Sequence, residues 1–353
     1  MGLEIDFLAV GEGEKSGDAI ALRYGNLFGP RSEQTVLVVD GGTLDSGARL
    51  VEHVKNFYGT DYVNGVICTH PDLDHACGLK VVLEGLDFGA LVMHKPWEHA
   101  AEIAELFDKP TVPSKLKEKL KKAVSAAHDL QVICKEKGKK IIDPVPGDLT
   151  NDGIVKVLGP SRDYYRLLLA NFRDTPAPKS SISQILQKAG AAVKDAVEWV
   201  AETMSLDFEA LDDSGETSPE NNSSMILLLT IDGQKALLTA DAGIPALTAA
   251  ADYAEAQGIM LNDLLFMQLP HHGSAHNVGP AILNRIMGKV AFVSAGPTAP
   301  RHPAKRVTNA VHRRNGVPCV TAGKPLRHAV SAPPRSGWVP VSPVPFYDRV
   351  EAA

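Results

Sequence analysis

Short apolar or alternating runs closed by glycine-rich turns dominate the first hundred residues of the chain. The segments EIDFLAVG, AIALRYG and TVLVVDGG have this character, which is typical of β-strands. LVEHVKNFYG places its apolar residues on one face and therefore predicts a helix. VNGVICTH and ALVMHKPW read as further buried strands, and the first of them carries His70 at its carboxyl end.

The second half of the chain returns to the same pattern after a long interruption. GIVKVLGP predicts a strand, and SSMILLLTIDGQKALLTADAG predicts a hairpin that turns at Asp232 and Gly233. A helix (PALTAAADYAEAQG), a strand (DLLFMQLPHHGS), a helix within GPAILNRIMG and a strand (KVAFVSAG) follow in order. Strands that alternate with helices in this way predict a layered α/β fold.

Two stretches do not fit the strand pattern, and we interpret them as helical insertions in one domain of residues 1–353. Residues 98–145 are helical and rich in lysine, with ten lysines against three acids between Lys109 and Lys140. The excess of lysine favours a helix face exposed to solvent. The alternative interpretation is a cationic arm that guides a polyanion toward the site. Residues 162–220 combine a helical block from Tyr164 to about Met204 with a linker, SLDFEALDDSGETSPENN, which has six acids and no base and which we predict to be mobile. Both insertions are candidate surfaces for protein partners.

Composition narrows the possible partners and compartment. Of 353 residues, 44% are hydrophobic and 22% are charged, and the net charge is −6, so no global cationic field attracts nucleic acid. A nucleic-acid substrate would then need a local basic patch or a metal. The N-terminus lacks the pattern of a signal peptide, and no run of eighteen apolar residues occurs. Four cysteines without a CxxC pair fit a reducing compartment, so we expect a cytoplasmic protein without membrane contact.

Residues able to bind metal gather where the predicted strands end. They are Asp40, His70, Asp72, Asp74, His75, Asp241, His271 and His272. Loops at strand ends commonly carry function in layered α/β folds. Imidazole suits zinc, iron and manganese, whereas carboxylate suits harder ions such as manganese and magnesium. A mixed set with a bridging carboxylate predicts two divalent ions, Mn or Zn, about 3.5–4 Å apart and sharing an activated water.

These motifs resemble those of the metallo-β-lactamase-fold hydrolases. THPDLDHACG is similar to their His-x-His-x-Asp-His loop, with Asp72 in the place of the second histidine, and LLTADAG and LPHHGS follow in the expected order. The resemblance implies a four-layer αββα sandwich. The variants His-Pro-Asp-x-Asp-His, NNSSMILLL, PHHGS and SAGPTAPRHP are most similar to the hydrolase domain of ComEC-type competence proteins and their free-standing relatives. That domain is thought to be a metal-dependent nuclease, and the ComEC membrane channel has no counterpart in this chain.

The resemblance also implies a role for each ligand. His70 would bind the first metal, Asp74 and His75 the second, and Asp241 would bridge the two. One of His271 and His272 would complete the second site, and the sequence leaves open which. Asp72 would replace a first-site histidine, and this carboxylate-rich set favours manganese, with zinc as the alternative. Asp40 resembles an aspartate that orders the metal loop.

Other positions bear on catalysis and substrate binding. The family's middle histidine is missing, and the matching stretch is NNSS, where Asn222 or Ser223 would coordinate weakly or hold a water. Asp74 would orient the nucleophile. His302 in RHP is a candidate for the acid that protonates the leaving group, and His94 and His276 are candidates for that role or for substrate binding.

Two further motifs have simpler interpretations. GEGEKSG does not meet the spacing of a phosphate loop and is interpreted as the turn between the first two strands. HPAKRVTNAVHRR predicts a basic helix with a solvated face, and phosphate contacts from its lysine and arginines are the alternative.

Together the motifs favour a metal-dependent hydrolase, specifically a phosphodiesterase or nuclease. Two alternatives stay open. The same scaffold also supports hydrolysis of small esters or lactones. The missing histidine would equally fit a binding or assembly module whose first site no longer holds metal.

Overall fold

The computed structural model describes residues 1–11, 16–182 and 199–352. The centre of the GEGEKSG turn and part of the predicted second helical block, residues 12–15 and 183–198, lie outside the described residues. The strands are β1 (Gly2–Phe7), β2 (Ala19–Gly25), β3 (Gln34–Gly41), β4 (Tyr62–Cys68), β5 (Asp87–Met93), β6 (Lys140–Ile142), β7 (Gly147–Asp148), β8 (Val155–Gly159), β9 (Trp199–Ala201), β10 (Ile226–Ile231), β11 (Gln234–Leu238), β12 (Leu264–Gln268), β13 (Gly288–Val293), β14 (Val317–Val320), β15 (Leu326–Val330) and β16 (Arg349–Glu351).

Helices connect many of these strands. They are α1 (Leu44–Phe57), α2 (Leu73–Ala76), α3 (Leu79–Gly85), α4 (Ala100–Ile103), α5 (Pro113–Ala123), α6 (Ser125–Glu136), α7 (Arg162–Leu169), α8 (Pro219–Asn222), α9 (Ile244–Ala256), α10 (Pro280–Leu283) and α11 (Lys305–Arg313). Short 3-10 turns add Pro96–His99 and His271–Gly273, among others. None of the helices in the described part of the chain combines the length and the apolar character needed to cross a bilayer.

The described strands form two seven-stranded sheets and one two-stranded sheet. The first has the order β15-β1-β2-β3-β4-β5-β6, and the second has the order β14-β13-β12-β11-β10-β8-β7. Strands β3 to β6 run parallel to one another, as do β11 to β14. Because parallel strands end at the same edge of a sheet, each sheet offers one edge of carboxyl ends for a site.

Alternation of side chains along each strand builds the layers. In β2, Ile20 and Leu22 join the core between the two sheets, whereas Ala19 and Ala21 face helices such as α1 and α3. In β10, Leu227 and Leu229 face the first sheet, and Ile226 and Leu228 face the helical layer that contains α9. The predicted four-layer αββα sandwich is confirmed.

Residues 98–145, interpreted as the first insertion, contain helices α4, α5 and α6 and then strand β6 of the first sheet. Leu116 and Leu120 of α5 are buried, and most of the lysines of α5 and α6 are exposed, as expected for a solvated face. Helix α5 packs against the turn Pro96–His99, which follows strand β5 at the edge where parallel strands end.

The second insertion differs from its prediction. Helix α7 ends at Leu169, and β9 is a strand that pairs antiparallel with β16, where the sequence predicted helix up to about Met204. The acidic linker is also not free, since Leu211 is buried in the core beside α9 and Ser218 caps helix α8. Apolar burial and capping outweigh the charge density that predicted mobility.

The basic helix α11 corrects another expectation. Arg313 is buried and its guanidinium lies 3.2 Å from the carboxylate of Glu202, while Arg314 pairs with Glu209 at 2.7 Å. Lys305 lies over the ring of Trp199. These cations contact residues of the second insertion, so neither a solvated face nor phosphate contacts describe Arg313 and Arg314.

Candidate metal centre

The predicted metal-binding residues come together where the carboxyl ends of both sheets meet. Strand β4 leads into His70, and the short helix α2 that follows it carries Asp74 and His75. Asp241 lies three residues beyond β11, and the histidine pair follows β12. The backbone N–H of Met225 donates to the carbonyl of Thr69 at 2.9 Å and joins the two sheets beside this cluster.

Four side chains form one compact donor group. The ligand atoms of Asp74, His75, Asp241 and His272 all lie within 4.8 Å of one another. His75 Nε2 is 3.3 Å from Asp241 Oδ1, and His272 Nε2 is 3.5 Å from Asp74 Oδ2. Two of these four are the predicted second-site residues of the metal loop, and His272 is the histidine of the pair that joins them.

The chemistry of this donor group fits a divalent ion. His75 Nε2, Asp241 Oδ1 and both ring nitrogens of His272 are buried and have no hydrogen-bond partner among the described residues. A buried polar atom without a partner costs about 1–3 kcal/mol, so four in one place need a compensating ligand. Imidazole nitrogens and carboxylate oxygens 3–4 Å apart have the spacing of neighbouring ligands around an ion held at about 2.0–2.2 Å.

The other oxygen of Asp241 faces a second pair of histidines. Asp241 Oδ2 lies 3.7 Å from His70 Nε2 and 3.7 Å from His271 Nε2. One oxygen of Asp72 lies 4.0 Å from His70 Nε2, and its other oxygen pairs with the guanidinium of Arg173. The carboxylate of Asp241 therefore has imidazoles on both sides, as a bridging ligand would.

Charge states in the cluster suit cation binding. Burial, reinforced by His75, lowers the pKa of His70 to about 4, so that its ring is neutral. Burial acts to raise the pKa of Asp74, but the neighbouring rings of His272 and His75 lower it to about 2. Burial opposes ionisation of Asp241 as well, yet His75, His271 and His272 hold its pKa well below the usual value. Burial acts to lower the pKa of His75 and His272, but Asp241 raises both above the usual value. The ionised carboxylates therefore attract a cation, and an ion that binds here displaces the proton that they favour on these two rings.

Asp40 orients the metal loop from behind. Its Oδ1 accepts the backbone N–H of Thr69 at 2.8 Å, and its Oδ2 lies 2.5 Å from Thr69 Oγ1 and 2.8 Å from His75 Nδ1. Although Asp40, His70 and His75 could themselves hold an ion by proximity, the oxygens of Asp40 are committed to these contacts. Asp40 thus fixes the ring of His75 with Nε2 toward Asp241, and such support is typical of metal-binding histidines.

Close backbone packing explains the glycines that surround the loop. A Cβ at Gly78, which follows the motif directly, would collide with the carbonyl oxygens of Gly41 and Thr43. A Cβ at Gly47 would likewise collide with the carbonyl of Gly78. The N-terminus of helix α1 therefore lies directly against the metal loop, and glycine is required for that approach.

The remaining predicted residues lie at different distances from the cluster. The ring of His302 is 5.7 Å from that of His271 and 6.0 Å from that of His272, at the mouth of the site. Burial and the neighbouring imidazoles lower its pKa to about 4, so the ring is neutral at pH 7. His276 packs against Gly215 of the acidic linker. Asn222 donates its amide to the carbonyls of Thr217 and Ser218.

His94 belongs to a separate polar group on the same edge of the first sheet. Its Nδ1 lies 3.2 Å from Asp143, its ring stacks on Tyr165, and Asp143 also faces His99 at 3.6 Å. These residues line a cavity of about 280 Å³ that Arg162 borders. Because Met93 pairs with Cys68, His94 follows its strand beside the loop that begins at Thr69.

Several residues of the site had no signal in the sequence. Arg173 reaches the metal loop from the second insertion, and its Nε and backbone N–H both contact Glu220. Asn277 Oδ1 lies 2.9 Å from His271 Nδ1. Asp18 is buried beside His75, and burial raises its pKa to about 6. Asn277 stands five residues beyond His272, and nothing in GSAHN marks it as a partner of His271.

A family model agrees with this architecture. The family model described as Metallo-beta-lactamase superfamily matches residues 27–296. No curated protein matches the chain. Among solved structures, a new diphosphatase from the PhnP family aligns with 10% identity and a TM-score of 0.38, covering 83% of this chain and 86% of its own. Tm1679, a metal-dependent hydrolase of the beta-lactamase superfamily, aligns with 10% identity and a TM-score of 0.39, covering 93% of this chain and 99% of its own.

Proposed function

The chain belongs to the metallo-beta-lactamase superfamily of metal-dependent hydrolases, and from that premise we propose that it cleaves phosphodiesters, with nucleic acid as the substrate. The observation that carries the proposal is the guanidinium of Arg173. The side chain of Arg173 is 47% exposed, its guanidinium pairs with Asp72 of the metal loop, and its Nε lies 3.1 Å from Glu220. Guanidinium is the side-chain group best matched to phosphate oxygens, so its position beside a cation-binding cluster favours a phosphate ester.

The proposed metal ligands are the residues named from the sequence. Asp74, His75, Asp241 and His272 would hold one divalent ion, manganese or zinc, and His70 and the second oxygen of Asp241 would face another. A divalent ion bound there supplies an activated water and takes up charge that develops on the phosphoryl oxygens. His70 and His75 are fixed by burial and by Asp40, so the ligands need little rearrangement to bind.

Three side chains of the protein would position the attacking water, the leaving oxygen and the phosphate. The side chain of Asp74 is 42% exposed, and one carboxylate oxygen lies 3.5 Å from His272 Nε2. The carboxylate can therefore accept a hydrogen bond from the attacking water. His302 is a neutral imidazole at pH 7, so it would donate a hydrogen bond from its ring N–H to the leaving oxygen and would not transfer a proton as the predicted general acid. Arg173 would hold a non-bridging phosphate oxygen. The motif variants of ComEC type support a nuclease among the phosphodiesterases.

The lysine-rich insertion supports a polyanionic substrate. Helix α5 presents exposed lysines and packs against the turn that follows β5, on the same edge as His70 and His94. A local cationic face of this kind attracts nucleic acid although the net charge of the chain is −6. Such attraction weakens as salt is added, which distinguishes it from a contact in the catalytic cluster.

The test combines metal reconstitution with two substrate classes. Protein stripped with a chelator and reloaded with Mn²⁺, Zn²⁺ or Mg²⁺ is assayed on bis(p-nitrophenyl) phosphate, on single-stranded and plasmid DNA, and on a chromogenic lactone. We expect phosphodiester cleavage with at least one of the first two ions. Asp74→Ala should reduce it by at least 10²-fold, consistent with loss of a ligand and water-positioning group.

Asp163→Ala is the matched control, because Asp163 is an aspartate of the second insertion whose side chain is 95% exposed. It should retain full activity. Cleavage of the lactone alone would replace the proposed substrate class by small esters or lactones. A folded protein that neither binds metal nor cleaves any of these substrates would instead support a binding or assembly module.

A further inference from the structure

The two consecutive histidines after β12 have an unusual backbone. His271 has a φ of 46° and His272 a φ of 57°, so both adopt the left-handed conformation. A non-glycine residue in this region is uncommon because the conformation is sterically disfavoured, and two in succession are rarer still. Surrounding structure must therefore favour the geometry, which turns the two neighbouring imidazoles toward different sides of Asp241.

The two imidazoles have different neighbours around Asp241. His272 joins Asp74 and His75, and His75 Nε2 faces Asp241 Oδ1 at 3.3 Å. His271 Nε2 instead lies 3.7 Å from Asp241 Oδ2, the oxygen that His70 Nε2 also faces at 3.7 Å. The histidine pair thus divides between the two sides of the carboxylate.

A buried asparagine holds His271 in this orientation. Asn277 is fully buried, its Oδ1 lies 2.9 Å from His271 Nδ1, and its amide donates to the backbone carbonyl of Asp241 at 2.8 Å. A hydrogen bond from Nδ1–H to Asn277 leaves Nε2 as the free lone pair, which is the usual support for a metal-binding histidine. Asn221, in the NNSS stretch that lacks a histidine, lies 3.4 Å from the same Nδ1.

Asp72 is poorly placed to complete the first site. Its nearer oxygen is 4.0 Å from His70 Nε2, and its other oxygen is engaged by Arg173. His271 has 28% of its side chain accessible, so an incoming ion can reach this ring while Asn277 holds its Nδ1. We propose that His271 replaces the missing middle histidine, so that His70, His271 and Asp241 Oδ2 hold the first divalent transition-metal ion. His272 then serves the second ion alone.

This inference rests on the proposed metal-dependent function, but its test counts ions and needs no substrate. The first background is Asp74→Ala/His272→Ala, which removes two ligands from the second site and should retain one ion of Mn²⁺ or Zn²⁺. Adding His271→Ala should weaken binding of that ion at least tenfold by chelator competition. Adding His302→Ala, an imidazole of the same region outside the proposed ligand set, should leave it unchanged.

The reciprocal background is His70→Ala, which removes the first site and should retain one ion in the second. There His271→Ala should have no effect, whereas His272→Ala should release the ion. Circular dichroism in chelator verifies that each variant is folded.

Three results would overturn the assignment. They are loss of the ion on His271→Ala in the His70→Ala background, no effect of His271→Ala in the Asp74→Ala/His272→Ala background, and a folded Asp74→Ala/His272→Ala protein that binds no ion. A wild-type protein that binds two ions as described yet cleaves no phosphodiester would refute the proposed substrate class and leave this inference standing.

Discussion

Replacing Asp40 by asparagine tests how far metal affinity depends on a residue that touches no ion. The carboxylate accepts three hydrogen bonds, from the N–H of Thr69 at 2.8 Å, from Thr69 Oγ1 at 2.5 Å and from His75 Nδ1 at 2.8 Å. Asparagine has the same shape but only one acceptor oxygen, so in either amide orientation its NH₂ faces at least one donor. With the oxygen toward the backbone N–H, the amide opposes both His75 and the threonine hydroxyl.

The expected loss of metal affinity follows from losing the hydrogen bond between Asp40 and His75 Nδ1. Removing such outer partners typically lowers metal affinity about 10–100-fold, which corresponds to about 1.4–2.7 kcal/mol. We expect Asp40→Asn to bind the second-site ion 10–100-fold more weakly, measured by competition with a chromogenic chelator. The control is Asp45→Asn, an aspartate of α1 whose side chain is 77% exposed and which should bind ions as the wild type does.

The reasoning would be refuted by an Asp40→Asn protein that binds both ions within twofold of the wild-type affinity. That result would show that burial of the metal loop, and not the carboxylate behind it, holds the ring of His75 in place.

Three further outcomes follow from contacts elsewhere. Arg173→Ala should raise KM for a phosphodiester about 10–100-fold, the equivalent of one charge-assisted hydrogen bond of about 1.5–3 kcal/mol, while lactone turnover and the Arg173→Lys variant are affected less. Arg335→Ala should lower Tm by about 2–4 °C in a calorimetric scan. Arg335 is nearly buried and contacts Glu4 at 2.7 Å and Asp6 at 2.8 Å. Glu4 keeps Arg23 and Asp6 keeps His53 as partners, so the loss is that of a charge-assisted hydrogen bond, about 1.5–3 kcal/mol, against an unfolding entropy of about 0.7 kcal/mol/K for a chain of 353 residues. In chelator, the urea midpoint should fall as the pH is lowered from 5 to 2. Burial opposes ionisation of Asp6, but His53 and Arg335 lower its pKa below the usual value. The ionised carboxylate therefore stabilises the fold above the unfolded pKa of about 3.9, and this contribution is lost as pH falls through the folded pKa. An unchanged urea midpoint would contradict this reasoning.

The sandwich could be predicted because alternation along a strand determines which residues face each layer. Ile20 and Leu22 lie between the sheets and Ala21 faces the helices, a pattern legible in AIALRYG. The metal-binding positions could be predicted for a similar reason, since His70 and Asp241 directly follow strands whose ends meet. The residue pattern within each strand, and the residues that follow its end, therefore predicted most of the metal-binding cluster.

What the sequence did not predict depends on contacts between distant segments or on backbone torsion. Arg173 and Asp72 are 101 positions apart, and nothing local marks their pairing. His271 and His272 have the same side chain, and only the backbone torsions determine which neighbours each imidazole faces. The strand β9 is three exposed residues long, and it forms because β16 pairs with it from the other end of the chain.

The junction of the two sheets at the cluster has a thermodynamic consequence. Ligands from the first sheet, such as His75, and from the second, such as His272, would be tied together by one ion, which would act as a removable cross-link between the halves of the sandwich. An ion that binds only the folded chain adds RT ln(1 + [ion]/Kd) to stability, about 2.7 kcal/mol at a hundredfold excess over Kd. The melting temperature then becomes a gauge of free metal concentration, so a titration of heat stability would give the affinity of the site without any substrate.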